Sequence, residues 1–131
     1  MSTFSRFEEL SVWQSARNLC KDIFNKTKKD AFSKDFDLKR QILRSSGSAM
    51  DNIAEGFERE GNNEFIQYLS ISKASCGETR SQLYRALDFE YLDENEFKEL
   101  KEQTESLSRE LSGFINYLKK SDYRGKKFDR A

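Results

Sequence analysis

Histidine and proline are both absent from this sequence of 131 residues. Without histidine the chain cannot supply the Glu-x-x-His pairs of di-iron bundles, the usual haem ligand, or a Ser-His-Asp or Cys-His catalytic group. Without proline, no residue carries the fixed φ angle and missing N–H that interrupt helices. The first absence excludes many catalytic and metal-binding classes, and the second favours long helices.

Cysteine, glycine and long apolar runs are also sparse. Cys20 and Cys76 have no metal-type spacing and fall on apolar faces of predicted helices, so we interpret both as small core residues in a reducing compartment. The six glycines form neither a phosphate-binding loop nor a dinucleotide-binding turn. No apolar run is long enough for a membrane span or a signal peptide. These features predict a soluble, cytoplasmic protein with no cofactor, no membrane contact and no identifiable small-molecule substrate.

Charge is balanced, with 23 basic and 23 acidic residues. A net charge of zero argues against a strongly basic nucleic-acid binder. The end of the chain differs, because Lys119 to Arg130 carries six basic and two acidic groups. We interpret residues 121–131, which include Lys126 and Lys127, as a flexible basic tail.

Apolar residues recur at intervals of three and four in four segments, which predicts helices over residues 11–29, 37–59, 63–90 and 94–120. The runs Ser11 to Gln14 and Asp93 to Glu96 have the form of capping boxes, and Asp35 or Asp37 is expected to cap the second helix. Phe32 and Phe36, in the first connection, are expected to plug one end of the core. Short connections make neighbouring helices antiparallel, so residues 1–120 are predicted to form an all-α, up-down-up-down four-helix bundle.

The second predicted helix carries two apolar stripes, which indicates packing in two directions. The first stripe consists of Leu38, Ile42, Ser45, Ser46, Ala49, Ile53 and Gly56. The second, a candidate for close packing or for an oligomer contact, consists of Leu43, Gly47, Met50, Ala54 and Phe57. We expect Gly47→Leu to cost roughly 1 to 3 kcal/mol of stability or of assembly energy through overpacking at a close contact.

Candidate chemical groups are few. A carboxylate-only metal site from Glu55 and Glu78 is formally possible, and lysine or carboxylate catalysis stays open, but no short segment gathers an acid, a base and a nucleophile. The sequence therefore predicts a protein that is not an enzyme. Asn52 and Glu55 are expected to bond to a neighbouring helix or its connection, and Glu55 to pair with Arg59.

Basic residues cluster at the start of the second helix, in Lys39, Arg40 and Arg44. Together with Lys126 and Lys127 they are the candidate contacts to nucleic acid. If the first connection folds over, this patch would be enlarged by the nearby residues Lys26, Lys28, Lys29 and Lys34. The alternative is a solvated rim beside a loop, diluted by intervening aspartates.

Four runs of residues carry a family resemblance: Phe7 to Ala16, Gln41 to Ser46, Asn52 to Gly56 and Phe65 to Leu69. With them the chain resembles, over roughly residues 7–120, the bacterial four-helix bundles of the 23S rRNA intervening sequence protein family. The run Asn-Ile-Ala-Glu-Gly is the most specific, and Asn52, Glu55, Gly56 and Glu78 match the family pattern as structural positions. In the third helix, Ala74 to Thr79 departs from that pattern by losing apolar bulk.

Relatives in this family include the accessory variability determinant of diversity-generating retroelements, a homopentamer that binds nucleic acid and a reverse transcriptase. The resemblance thus implies a homopentamer. The expected function is a non-catalytic oligomeric scaffold or adaptor that contacts structured RNA or DNA. One alternative is a nucleic-acid-binding accessory protein that acts with a polymerase such as a reverse transcriptase, although those relatives are basic and this chain is neutral; another is an unrecognised metal-free enzyme.

Overall fold

The structure is a computed structural model that describes residues 4–128, with side chains except at position 30 and positions 122–128. Within that range all of its regular secondary structure is helical. A 3-10 turn at Phe7–Glu9 precedes α1 (Ser11–Thr27), α2 (Asp30–Lys34), α3 (Phe36–Glu58), α4 (Asn62–Asp88) and α5 (Glu94–Phe128). Among these helices none has both the length and the apolar character needed to span a membrane.

The four long helices form the predicted antiparallel bundle, in which α1 and α4 each pack against both α3 and α5. Two differences in extent stand out. The connection after α1 contains the short helix α2, and the backbone of α5 stays helical to Phe128, into the segment expected to be a flexible tail. The flexibility of residues 121–131 stays a prediction, since most of their side chains lie outside the described set.

The hydrophobic core follows the predicted stripes. The buried residues of α3 are the seven members of its first stripe. On α5 the three-and-four spacing buries Leu100, Thr104, Leu107, Leu111 and Leu118. Phe32 plugs the end of the core as expected, with 1% of its surface exposed, whereas Phe36 is 71% exposed and the same prediction was wrong for it.

Of the three predicted helix caps, those at Asp35 and Asp93 are confirmed and the one at Ser11 was wrong. Asp35 Oδ1 accepts a hydrogen bond from the backbone N–H of Leu38 at 3.0 Å and caps α3. At the start of α1 no side chain caps the helix, because Leu10 occupies the capping position and Ser11 is already the first helical residue. Ser11 donates to Glu110 of α5 at 2.8 Å, and Gln14 donates to the carbonyl of Glu8 at 2.8 Å.

Small polar side chains join the middles of α3 and α4. Ser45 lies 2.7 Å from the hydroxyl of Thr79 and donates to Gln82 Oε1 at 2.6 Å. Ser72 donates to the carbonyl of Ala49 at 2.6 Å. Among the described side chains, no buried nitrogen or oxygen lacks a hydrogen-bond partner. This hydrogen-bonded contact, hereafter the α3–α4 seam, therefore avoids the cost of burying unsatisfied polar groups. Its bonded pairs fix the register of the two helices.

A charged cluster ties α1 and α2 to the start of α5. Glu96 accepts from the backbone N–H of Asp93 at 2.9 Å, and its own N–H donates to Asp93 Oδ1 at 2.7 Å, which completes the predicted capping box. Its carboxylate also binds the ammonium groups of Lys29 and Lys26. The hydrogen bond from Lys29, which has the largest effect, and the one from the backbone N–H of Asp93 lower the pKa of Glu96 to about 2.

We predict that Glu96→Gln and Glu96→Ala separate the two roles of this residue. Glutamine retains a capping acceptor but loses the ion pairs, so the free energy of unfolding should fall by about 0.5 to 1 kcal/mol, a small loss because Lys29 is nearly half exposed. Alanine also loses the cap, which should cost about 1 kcal/mol more. Urea denaturation at neutral pH measures both losses.

The stability that the negative charge of Glu96 contributes should vanish in acid. Because the pKa of Glu96 is depressed on folding, its contribution is present above the ordinary value of 4.5 and is lost as pH falls from there to about 2. The stability difference between the parent and Glu96→Gln should therefore shrink across that range. A difference that does not change with pH would contradict the assignment.

Candidate functional site

The second stripe of α3, hereafter the outer stripe, lies at the edge of the bundle. All five of its residues, Leu43, Gly47, Met50, Ala54 and Phe57, are half-buried. Leu43, Met50 and Phe57 pack against the rim of the core. A Cβ atom placed on Gly47 would have no neighbour within 4 Å. The close contact expected at Gly47 is thus absent inside one chain, so a loss of stability of the single chain through overpacking was a wrong expectation, while a loss of assembly energy stays a prediction.

Helix α1 borders this stripe through one of its flanks. The thiol of Cys20 donates to the carbonyl of Ser46 at 3.1 Å, which identifies the flank of α1 that meets α3. Trp13 precedes Cys20 by seven residues and Phe24 follows it by four, so helical spacing puts both on that flank. Trp13 is half-buried against Phe7, at 5.1 Å between ring centroids, and Phe24 is 48% exposed.

Phe36 extends the outer stripe to the other end of α3. It precedes Leu43 by seven residues, or two helical turns, and so lies on the same face of the helix. Phe36 is exposed because it lies on this outer face of α3 and not on the buried one. The outer stripe, Phe36 and the α1 residues Trp13 and Phe24 together form a partly exposed apolar surface, which we name the α1–α3 face. The sequence reading missed Phe36 as a member, although its spacing to Leu43 carried the signal.

The candidate nucleic-acid residues do not form one compact patch. Arg40 pairs with Asp37 at 3.1 Å, while Lys39 is half-buried and Arg44 is exposed. At 100° per residue, Lys39 and Arg44 point about 140° apart around α3. Lys26 and Lys29, which were expected to enlarge the patch, are bound to Glu96. The side chains of Lys126 and Lys127 lie outside the described residues.

Asn52 was expected to bond to a neighbouring helix, and it bonds within its own. Its amide donates to the carbonyl and the hydroxyl of Ser48, at 2.8 and 2.9 Å. Because Ser48 in turn lies 2.9 Å from the hydroxyl of Ser75, Asn52 supports the seam with α4 only indirectly.

Glu55 makes the predicted pair with Arg59 at 2.7 Å and also accepts from the hydroxyl of Tyr68 on α4 at 3.5 Å. Glu78 is exposed and accepts from Gln82 at 3.5 Å. Glu78 lies ten residues beyond Tyr68 along α4, which is about 15 Å of helix. Glu55 and Glu78 are therefore too far apart to share a metal ion. No group of three or more potential ligands occurs among the described side chains.

The two thiols are poor nucleophiles. Burial raises the pKa of Cys76 to about 12, and burial also raises the pKa of Cys20 above its ordinary value. Because the thiolate is the reactive form, both groups stay protonated near neutral pH. This agrees with the reading of the cysteines as small core residues, with Cys76 fully buried and Cys20 half-buried.

Gly56 marks the closest approach of α3 to α4. A Cβ atom at this position would lie 2.6 Å from Cβ of Tyr68 and 3.0 Å from Cδ1 of Phe65. Both neighbours belong to the first turns of α4, so Gly56 allows the two helices to converge just before the turn that joins them.

Comparison with known proteins supports the resemblance seen in the sequence. The family model described as 23S rRNA-intervening sequence protein matches residues 8–113. A crystal structure from Bacteroides thetaiotaomicron, described as a protein of unknown function from the S23 ribosomal protein family, has a similar fold with a TM-score of 0.75. It is 24% identical and covers 80% of this chain and 95% of its own. No curated protein matches the sequence. The relation to the retroelement determinant stays a prediction.

We predict that Gly56→Ala destabilises the protein. The clash involves Cβ of Tyr68, close to the backbone, so relief requires the helices to shift, at a cost of about 1 to 3 kcal/mol. This should outweigh the roughly 1 kcal/mol that alanine gains over glycine inside a helix. Gly113→Ala is the matched control, since a Cβ there meets nothing within 4 Å. Chemical denaturation should show a loss for the first and a gain for the second; equal gains would contradict the close approach.

Proposed function

The chain belongs to the 23S rRNA-intervening sequence protein family, and we propose that it is a non-catalytic helical bundle that self-associates and serves as a scaffold or adaptor. The observation that carries this proposal is the α1–α3 face, where α3 presents a second apolar stripe that its own chain leaves half-exposed. By resemblance the proposed assembly is a homopentamer, and from the sequence features the proposed location is the cytoplasm.

The centre of the α1–α3 face suits contact with another helix. Gly47 and Ala54 are small and lie two turns apart, so a partner helix could approach closely between the larger Leu43, Met50 and Phe57. Exposed charged residues border the stripe, including Arg40, Asp51 and Glu58. An apolar centre with a charged rim is the usual anatomy of a specific protein interface.

The non-catalytic part of the proposal rests on chemistry. The sequence offers no histidine, and its two thiols are held in the protonated form by burial. The polar groups of the α3–α4 seam are bonded to each other, and thus serve packing.

Gly47→Glu tests the self-association. The substitution should leave the fold of one chain intact, because space surrounds Gly47, but it would bury a charge in the proposed interface. We expect the association constant, measured by sedimentation velocity, to fall by at least about tenfold, which corresponds to about 1.4 kcal/mol. Gly113→Glu adds the same side chain at another open helical site and should assemble like the parent. A parent that is monomeric at micromolar concentration, or a Gly47→Glu variant that assembles normally, would overturn the proposal.

A second candidate function is contact with structured RNA or DNA, either by the assembly alone or as an accessory to a polymerase such as a reverse transcriptase. It is favoured by Lys39 and Arg44, neither of which makes an ion pair with a described residue. Such cations can neutralise phosphates. Lys39 follows Phe36 by three residues and precedes Leu43 by four, so it lies on the α1–α3 face. Arg44 is therefore the cation that an assembly covering this face would leave open and multiply.

This candidate predicts binding that weakens steeply with salt. Each phosphate contact contributes about 0.9 to the slope of log affinity against log salt on duplex DNA. Arg44→Ala should lower that slope in proportion to the number of copies in contact, and Lys39→Ala should lower it only where the α1–α3 face is uncovered, whereas Lys98→Ala, at an exposed site on α5, should have no effect. Electrophoretic or fluorescence titration measures the slope. Undetectable binding at about 50 mM salt, where such contacts are strong, would dispose of this candidate.

A further inference from the structure

A cavity of about 190 Å³ lies at the end of the bundle where α3 turns into α4. Its apolar walls come from three parts of the chain: the segment before α1, the α3–α4 region and the late part of α5. The wall residues used below are Leu10, Phe57, Phe65, Phe114 and Leu118. Arg59, Asn62, Tyr117 and Ser121 add polar groups to the lining. An apolar cavity with a few polar groups is the usual form of a small-molecule site.

The volume restricts a ligand to one aromatic ring or a small fused pair. An engineered apolar cavity of about 150 Å³ is known to accept benzene, and drug-sized ligands occupy cavities of about 300 Å³ or more. The space between α3, α4 and α5 therefore suits a molecule with fewer than about ten non-hydrogen atoms.

The walls favour an aromatic guest. Phe57 and Phe65 meet edge to face, with centroids 5.8 Å apart and planes at 82°. Phe65 and Phe114 repeat this arrangement at 5.5 Å and 89°. A further ring can continue the edge-to-face and offset-stacked contacts that aromatic groups prefer.

The charges at this cavity favour a neutral guest. Arg59 is bonded to Glu55 at 2.7 Å, and its guanidinium lies 5.1 Å from the ring centroid of Tyr68. Its positive charge is therefore already compensated, so an anion would find no unpaired cation among the described residues that line the cavity. A cation would find no acidic side chain among the same lining residues.

Asn62 supplies a neutral hydrogen-bonding group. Its amide donates once, to the carbonyl of Leu118 at 3.2 Å, which leaves the carbonyl oxygen and the second amide hydrogen for a ligand. We propose that this cavity binds a neutral aromatic molecule of one ring or two fused rings that carries one hydrogen-bonding group, the chemistry of a phenol, a benzyl alcohol or an indole.

The test compares three ligands that differ in their head group: benzyl alcohol, benzoate and benzylammonium. Saturation-transfer NMR on the full chain should show benzyl alcohol binding with a dissociation constant of about 1 mM or tighter, as its size allows. Indole should bind as well. Benzoate and benzylammonium should each bind at least about fivefold more weakly, because neither finds an uncompensated counter-charge.

Two variants locate the site. Phe114→Leu keeps an apolar wall but removes a ring, so affinity for benzyl alcohol should fall about two- to tenfold. Phe89→Leu, which removes an exposed ring at the opposite end of α4, should leave it unchanged. Equal effects of the two variants, no saturation transfer to benzyl alcohol, or equal binding of all three head groups would overturn the proposal. The comparison of head groups uses the parent chain, so it decides the matter even if Phe114→Leu fails to fold.

Discussion

The hydrogen-bonded contact between the middles of α3 and α4 is the interaction on which the rest of the structure depends. Ser45 reaches both Thr79 and Gln82, and Ser72 reaches the carbonyl of Ala49, so small hydroxyl groups replace the branched apolar side chains usual at a bundle core. Because hydrogen bonds are directional, a shift of one helix along the other would leave several buried groups without partners, at about 1 to 3 kcal/mol for each. The seam therefore specifies register as well as proximity.

This inner contact determines what α3 can do on its other side. Because the first stripe packs against α1 and α4, the outer stripe has only a flank of α1 beside it and stays half-exposed along the helix. Phe36, at 71% exposure, carries the apolar surface to the end of α3. A helix that is apolar on two faces but packed on one within its own chain is an economical basis for assembly, since the same rigid element sets both the fold and the partner geometry.

The sequence predicted features that depend on one helix at a time. The buried stripe of α3 and the caps at Asp35 and Asp93 follow from periodicity and from local backbone needs, and they were confirmed. The predictions that were wrong concern side chains whose contacts depend on which groups a different helix places beside them. Ser11 has the form of a cap but donates to Glu110 across the bundle, and Lys29 looked like part of a basic patch but is taken by Glu96. Helical periodicity alone likewise could not show that a Cβ atom at Gly47 would meet nothing within 4 Å, whereas one at Gly56 would lie 2.6 Å from Cβ of Tyr68.

The central claim is that the outer stripe of α3 is covered when the protein assembles, and thiol labelling at Gly47→Cys tests it most directly. The two native thiols are shielded by burial and raised pKa, so the parent chain gives a low background. Gly113→Cys places a thiol at a second open helical site. The account predicts that maleimide labelling at position 47 slows as protein concentration rises through the association range, while labelling at position 113 does not. Labelling at both positions that is equally fast at every concentration would contradict it.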